Sequence, residues 1–310
     1  MARVFGTIVL TVISIAVFSP ADAAPRRVLL LESYDNSFPP YSNYEVCVRK
    51  ELTNQLKQPI DFFEASLATA RYSQSAQDDL FAEYLRALFN EHPLDLTITF
   101  GSPAASFFEQ HRAQLFPATP ALLAAADERP MSLIPKADND AAVLNRIDFT
   151  SVIKNILKVL PDTKNVAVIV GNSPIGRYWA SEMQKTFEPF TSLQFTYLNQ
   201  LSFEEIKQRA ASLPPHSVIF FALLQVDGTG GAYLDDVALT EIHQVANAPI
   251  FSYIDDFFGM GIVGGAASFR GRSVPPGHCR RTANSRRRGS EKHRDDCCWI
   301  DHTCFRWPGA

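Results

Sequence analysis

The sequence predicts an α/β protein of two lobes, each a parallel sheet flanked by helices. Three observations carry that prediction. Short apolar runs recur, among them "RVLLLES" at 27–33, "VAVIV" at 166–170 and "SVIFFALL" at 217–224. A strand that is apolar without alternation is buried on both faces, as in a parallel sheet covered by helices. Between these runs lie amphipathic stretches of helical length, which is the βαβ pattern. The alternation also runs twice, interrupted by a polar stretch from Asp127 to Asp140 that contains two prolines. With 310 residues, 46% hydrophobic and 20% charged, the chain can bury one large core or two medium ones.

In order, the first strand is expected at 27–33 and, after Pro39-Pro40, a helix at 41–56. A second strand at 60–67 precedes a helix at 75–91, where Leu80, Phe81, Tyr84, Leu85, Leu88 and Phe89 fall at helical spacing. The third strand, 94–100, runs into "GSPAASFFEQHRAQLF", in which Ser102 suits a helix cap and Pro103 the first helical position. A fourth strand is expected at 119–125. Beyond the polar boundary come a helix at 149–160, a strand at 166–170, a helix at 174–187 and a strand at 193–198. Ser202 and Glu205 form an S-x-x-E capping box for the next helix. A strand at 217–224, a helix at 233–247 and a last strand at 249–255 complete the second lobe.

The N-terminus reads as an export signal. Arg3 supplies the positive start, Val4–Phe18 the apolar run and Ala21-Asp22-Ala23 the cleavage pattern. That run is short against the roughly 20 residues of a membrane span. Cleavage near Ala23 and a periplasmic destination are therefore expected. The reading assigns 1–23 to the signal, 24–126 to the first lobe, 127–148 to the linker and 149–265 to the second lobe.

Residues 266–310 differ from the rest. They carry a net charge of +6 against −10 for the remainder, and they hold Cys279, Cys297, Cys298 and Cys304, whereas the body has Cys47 alone. With Val274 and Ile300 as the only aliphatic β-branched residues and no Leu or Met, this tail cannot build a core. A nucleic-acid arm is at odds with export, and its Cys and His residues follow no known zinc-ligand spacing. Its composition is that of a GC-rich gene read out of frame from near Gly265. The tail is therefore expected to carry no site.

Parallel sheets gather ligands outside the carboxyl ends of their strands. Those ends give the candidates Ser33 and Tyr34, Gly101 and Ser102, Asn172, Gln225 and Asp227, and Tyr253 and Asp255. Loops begin with such residues in any case, and Ser102 is explained as a cap. The loop "VDGTGGAY" at 226–233 is glycine-rich but lacks the G-K-[ST] ending of a phosphate loop. There is no G-x-S-x-G, H-E-x-x-H or C-x-x-C, and the pair Asp255-Asp256 reads first as a turn. No catalytic residue, metal site or cofactor is expected, and the chain is not read as an enzyme.

Four phrases, "LDLTITFGSPAASFF", "TPALLAAADE", "NVAVIVGNSPIGRYW" and "APIFSYIDDFFGMGIVGG", resemble the ABC transporter substrate-binding family of the tryptophan/tyrosine-binding type. That family has the two-lobed type I periplasmic-binding-protein fold. A similar module forms the sensing half of some bacterial sensor histidine kinases, to which "LLLESYDNSFPPYSNY" is closer. The resemblance implies a receptor that closes on a small organic molecule, such as an amino acid, and hands it to a permease or signals to a kinase. It implies that a ligand carboxylate sits on Ser102 and the helix after it, that Asp227 or Asp255 pairs with an amine, and that Tyr34 and Tyr253 flank a ring. It implies no nucleic-acid partner. Past Gly265 the sequence departs from the family, which continues with a further helix and strand.

Overall fold

The computed structural model describes residues 24–34, 41–56, 58–68, 75–134, 137–264 and 272–274. The export-signal reading and most of the basic tail lie outside them. The first lobe contains β1 (Arg26–Glu32), α1 (Tyr41–Gln55), β2 (Ile60–Ser66), α2 (Ser75–Leu88), β3 (Leu96–Phe100), α3 (Ser102–Leu115), β4 (Ala121–Asp127), the short α4 (Glu128–Met131) and β5 (Asp140–Asn145). The second contains α5 (Phe149–Val159), β6 (Asn165–Val170), α6 (Pro174–Phe187), β7 (Gln194–Tyr197), α7 (Phe203–Ala211), β8 (Ser217–Leu223), α8 (Asp235–Val245), β9 (Ile250–Phe251) and β10 (Ile262–Gly264).

The two sheets share one plan. The first runs β2-β1-β3-β4-β5 and the second β7-β6-β8-β9-β10, all parallel. In each, the strand that opens the lobe lies second from the edge. The order therefore reverses beside β1 and beside β6, and an open α/β sheet has its crevice at that switch point.

The apolar runs form the sheet centres because both faces are covered. Along β1, Val28 and Leu30 pack on one side with Val48 and Leu52 of α1. Leu29 and Leu31 pack on the other with Leu85 of α2 and Phe108 of α3. In the second lobe a single cluster joins Val168 and Phe220 of the central strands to Ile153, Met183, Ile206 and Leu239 of four helices.

One correction follows. The stretch read as linker is shorter than expected, because β5 inside it belongs to the first sheet, leaving only Arg146–Asp148 between the lobes. β5 escapes a sequence reading because "DAAVLN" is brief and alanine-rich, and its anchor is not local. Asp140 pairs with Arg112 of α3 at 2.7 Å, and Arg112 also donates to the Thr119 carbonyl and to Asn139 Oδ1 at 2.9 and 2.8 Å. Further on, residues 272–274, within the tail expected to carry no site, form β11, antiparallel on the outer edge of β5.

Candidate functional site

At the carboxyl end of β1, Ser33 Oγ donates to the Phe100 carbonyl at 2.6 Å and accepts the Ala104 N–H at 2.9 Å. Ser33 thus caps α3 from a neighbouring strand, the task the sequence assigned to Ser102. Ser102 Oγ instead accepts the Asp127 N–H at 2.8 Å, which ties the start of α3 to the end of β4. Gly101 stands between them at φ 86°, and a Cβ there would lie 2.7 Å from Ser33 Oγ and 3.2 Å from the Tyr41 ring. Both the backbone conformation and the space require glycine.

A cleft of about 550 Å³, its open mouth included, lies between the lobes. The first lobe lines it with Tyr34, Tyr41, Tyr44, Ser102, Pro103, Asp127 and Asn145, the last residue of β5; Ile147 comes from the crossover. Ile175, Trp179, Leu223, Tyr253 and Ile254 face them from the second lobe. Tyr34 and Tyr41 stack at 5.4 Å, and Tyr44 meets Tyr41 edge-on at 6.1 Å. Burial pushes the phenols of Tyr34, Tyr41 and Tyr253 well above the ordinary tyrosine range. Tyr41 adds to the shift at the other two, and Asp127 to the shift at Tyr41. All three remain hydrogen-bond donors at neutral pH.

Asp127 is buried and bound by Arg129 through both carboxylate oxygens, at 2.7 and 2.8 Å. The guanidinium reaches the second lobe, 5.0 Å over the Trp179 ring and 5.7 Å over Phe149. A cation on an aromatic face inside a desolvated contact is worth about 2 kcal/mol. Arg129 therefore links the two walls. A second link joins Asn43 Nδ2 to Asp256 Oδ1 at 2.6 Å.

The sequence candidates divide into two groups. Tyr34, Ser102 and Tyr253 meet in the cleft, with Ser33 and Gly101 directly behind it. Asn172, Gln225 and Asp227 are not part of its lining. Asn172 is held by its backbone, with its N–H on the Val226 carbonyl and its own carbonyl accepting from Arg177. Gln225 is buried at the end of β8, beside Gly171. The Asp227 carboxylate is saturated by the N–H groups of Phe203, Thr229 and Gly231 and the hydroxyls of Thr229 and Tyr233. It shapes the glycine-rich loop and helps cap α7, and it has no capacity left for a ligand amine. Asp255 opens a short 3₁₀ turn, and its side chain lies outside the described part. The reading missed Trp179, Tyr41 and Tyr44, which sit on helices and count there as packing faces, and Asp127 and Asn145, which fall in the stretch taken for linker.

Beneath Tyr41, Glu32 ends β1 at 2% exposure, with Oε1 lacking any hydrogen bond. Arg49 of α1 is committed to Glu45, at 2.6 Å, and to Glu64. Burial first, and then the charges of Glu45 and Glu64, push the Glu32 carboxyl up to about 8 against the attraction of Arg49. The folded chain thus keeps a proton that the unfolded chain releases near 4.5. More protons on the folded state mean that this group's contribution falls as pH rises from about 4.5 to about 8. Glu32→Gln is expected to flatten that slope and to raise stability at pH 8 relative to the parent, read by urea unfolding at pH 5 and 8. An unaltered slope would count against a protonated Glu32.

No protein-family model matches the sequence, and no curated protein matches it. Solved structures do. A conserved domain protein from Vibrio cholerae O1 biovar El Tor str. N16961 is 12% identical with a TM-score of 0.54, covering 77% of this chain and 78% of that one. The ABC domain in complex with L-Trp from Streptococcus pneumonia is 14% identical, with a TM-score of 0.54 and 77% coverage of both chains. A periplasmic sugar-binding protein of an ABC sugar transporter from Legionella pneumophila is 13% identical, TM-score 0.52, covering 77% of this chain and 87% of that one. At such identities the likeness is one of architecture, and the chain has the two-lobed α/β fold of periplasmic binding proteins.

Proposed function

We propose that the chain is an extracytoplasmic solute-binding protein that captures a small molecule between its lobes and delivers it to an ABC transporter permease. The observation that carries this reading is a cleft lined from both lobes at the carboxyl ends of both sheets. A ligand there touches both walls, so its binding energy favours the closed arrangement over the open one. Delivery to a permease agrees with two of the similar structures, whose names place them in ABC systems. The tryptophan/tyrosine-binding branch is the one suggested by the phrases that carry the resemblance.

A thermal-shift screen of amino acids, purines and aromatic acids is the test, followed by calorimetry and small-angle scattering. A compound that binds one to one, shrinks the radius of gyration and is recovered unchanged is the expected result. Tyr253→Phe, which removes one cleft hydroxyl and keeps the ring, should weaken it about tenfold, the 1.4 kcal/mol of a typical hydrogen bond. Binding indifferent to Tyr253 and Trp179 would place the ligand elsewhere, and chemical conversion of the compound would make the protein an enzyme.

A further inference from the structure

Two residues beyond the end of β4, Arg129 reaches from the first lobe into the aromatic core of the second. Asp127 aims it. Asp127 Oδ1 accepts the Arg129 N–H at 3.0 Å and its Nε at 2.7 Å, and Oδ2 accepts Nη2 at 2.8 Å, so one carboxylate fixes both the backbone and the plane of the guanidinium. The remaining nitrogen, Nη1, lies 4.0 Å from Glu182 Oε2 of α6. The guanidinium carbon stands 5.0 Å from the centre of the Trp179 ring and 5.7 Å from that of Phe149, the first residue of α5. Both rings are buried members of the second lobe's core. A cation that must fork onto one partner and lie over the rings of another is a task for arginine and not for lysine.

The other link between the lobes is of a weaker kind. Asn43 and Asp256 meet at the exposed surface, where water replaces either partner when the hydrogen bond breaks. The Arg129 side chain is 17% exposed, and parting the lobes would take both rings from it while leaving Asp127 in place. A desolvated cation on an aromatic face shifts such an equilibrium about thirtyfold. Asp127 and Trp179 line the cleft from opposite lobes, and Arg129 joins them.

We propose that Arg129 is a positioning residue of the cleft, a clasp built on the first lobe that holds the second against it and so sets how far the cleft stands open. This rests on the lobes parting and meeting as the proposed function requires. A solute that binds the closed arrangement then depends on Arg129 without touching it, because apparent affinity scales with the fraction of molecules already closed.

Small-angle scattering of the full chain with no solute added is the test, with melting curves run beside it. Trp179→Leu removes the receiving ring and leaves the Asp127–Arg129 pair whole. Arg129→Met combined with Asp127→Asn removes both charges, so that no buried carboxylate is stranded. Either route should enlarge the radius of gyration over that of the parent, and the three changes together should enlarge it no further, since both routes break one contact. Arg129→Lys, the mildest change, should fall between the parent and these variants, and it decides alone should the others fail to fold. Folded variants whose radius of gyration equals the parent's overturn the proposal even where their melting temperatures drop, because that pattern marks a residue that only packs α4. Additive enlargement by the two routes overturns it as well. A solute screen that yields no binder overturns the cleft reading and leaves the scattering result as it stands.

Discussion

Gly176→Ala is expected to cost about 3 kcal/mol or more and to lower the melting temperature by roughly 10 °C. A Cβ on this residue would stand 2.2 Å from the Gly171 carbonyl oxygen and 2.7 Å from its carbon. The obstruction is backbone at the end of β6, so no rotamer change relieves it. Gly171 is itself pressed against the Val226 carbonyl, 2.9 Å from where its own Cβ would be. Three segments are thus stacked with no room between them, and the added methyl must lift the first turn of α6. That turn carries Ile175, with Trp179 one turn on, both cleft residues. Ligand affinity should therefore fall together with stability. Chemical denaturation and calorimetry on one preparation measure both, and an unshifted melting curve would contradict the close approach.

Asp227→Ala should be at least as damaging, by about 4 kcal/mol, because it strands five buried or half-buried donors. Asp227→Asn should cost about half as much, since its amide oxygen still serves one set of donors while its NH₂ opposes the other. Burial alone would raise this carboxyl, but the Thr229 hydroxyl and the N–H groups of Phe203, Gly231 and Thr229 outweigh it and hold it at about 2. A folded-state value below the unfolded one makes the contribution complete above about 4 and lost as pH falls toward about 2. In acid titrations followed by circular dichroism, either variant should lose this part of the pH dependence while keeping the alkaline part that Glu32 produces. Full retention of the acid limb would show that Asp227 is not its source.

The strands buried on both faces were legible because apolar runs of strand length, Val28–Leu31, Val166–Val170 and Val218–Leu224, stand between turn signals. The capping box at Ser202 and Glu205 was equally plain and is present with both of its hydrogen bonds. What escaped was held by partners far off in sequence, as β5 is by Arg112. The site shows the same division. Position after a strand picked out Tyr34, Ser102 and Tyr253, which line the cleft, since strand ends converge there whatever the residue. It could not say whether a polar side chain was still available. Asp227 and Ser102 look like ligand-binding groups in the sequence, yet the fold has already used the first completely and the second in part. Trp179 and Tyr41 failed in the opposite sense. Helical periodicity marks a buried face, and it marks a face buried against a cleft in the same way as one buried against a sheet.

The route of the chain sets the mechanics of closure. It leaves the first sheet from β5 through Arg146–Asp148, and after β10 it comes back to pair β11 with that same strand. On the proposed function, the margin of the sheet that carries β5 and β11 is expected to act as a spine about which the lobes turn as covers do. β1 lies three strands away across β4 and β3, about 14 Å at the usual spacing. Asn145 and Ile147, next to that margin, are then expected to keep their place as the lobes part or meet, whereas Tyr34 and Tyr41, at the far side of the sheet, are expected to move most relative to Tyr253.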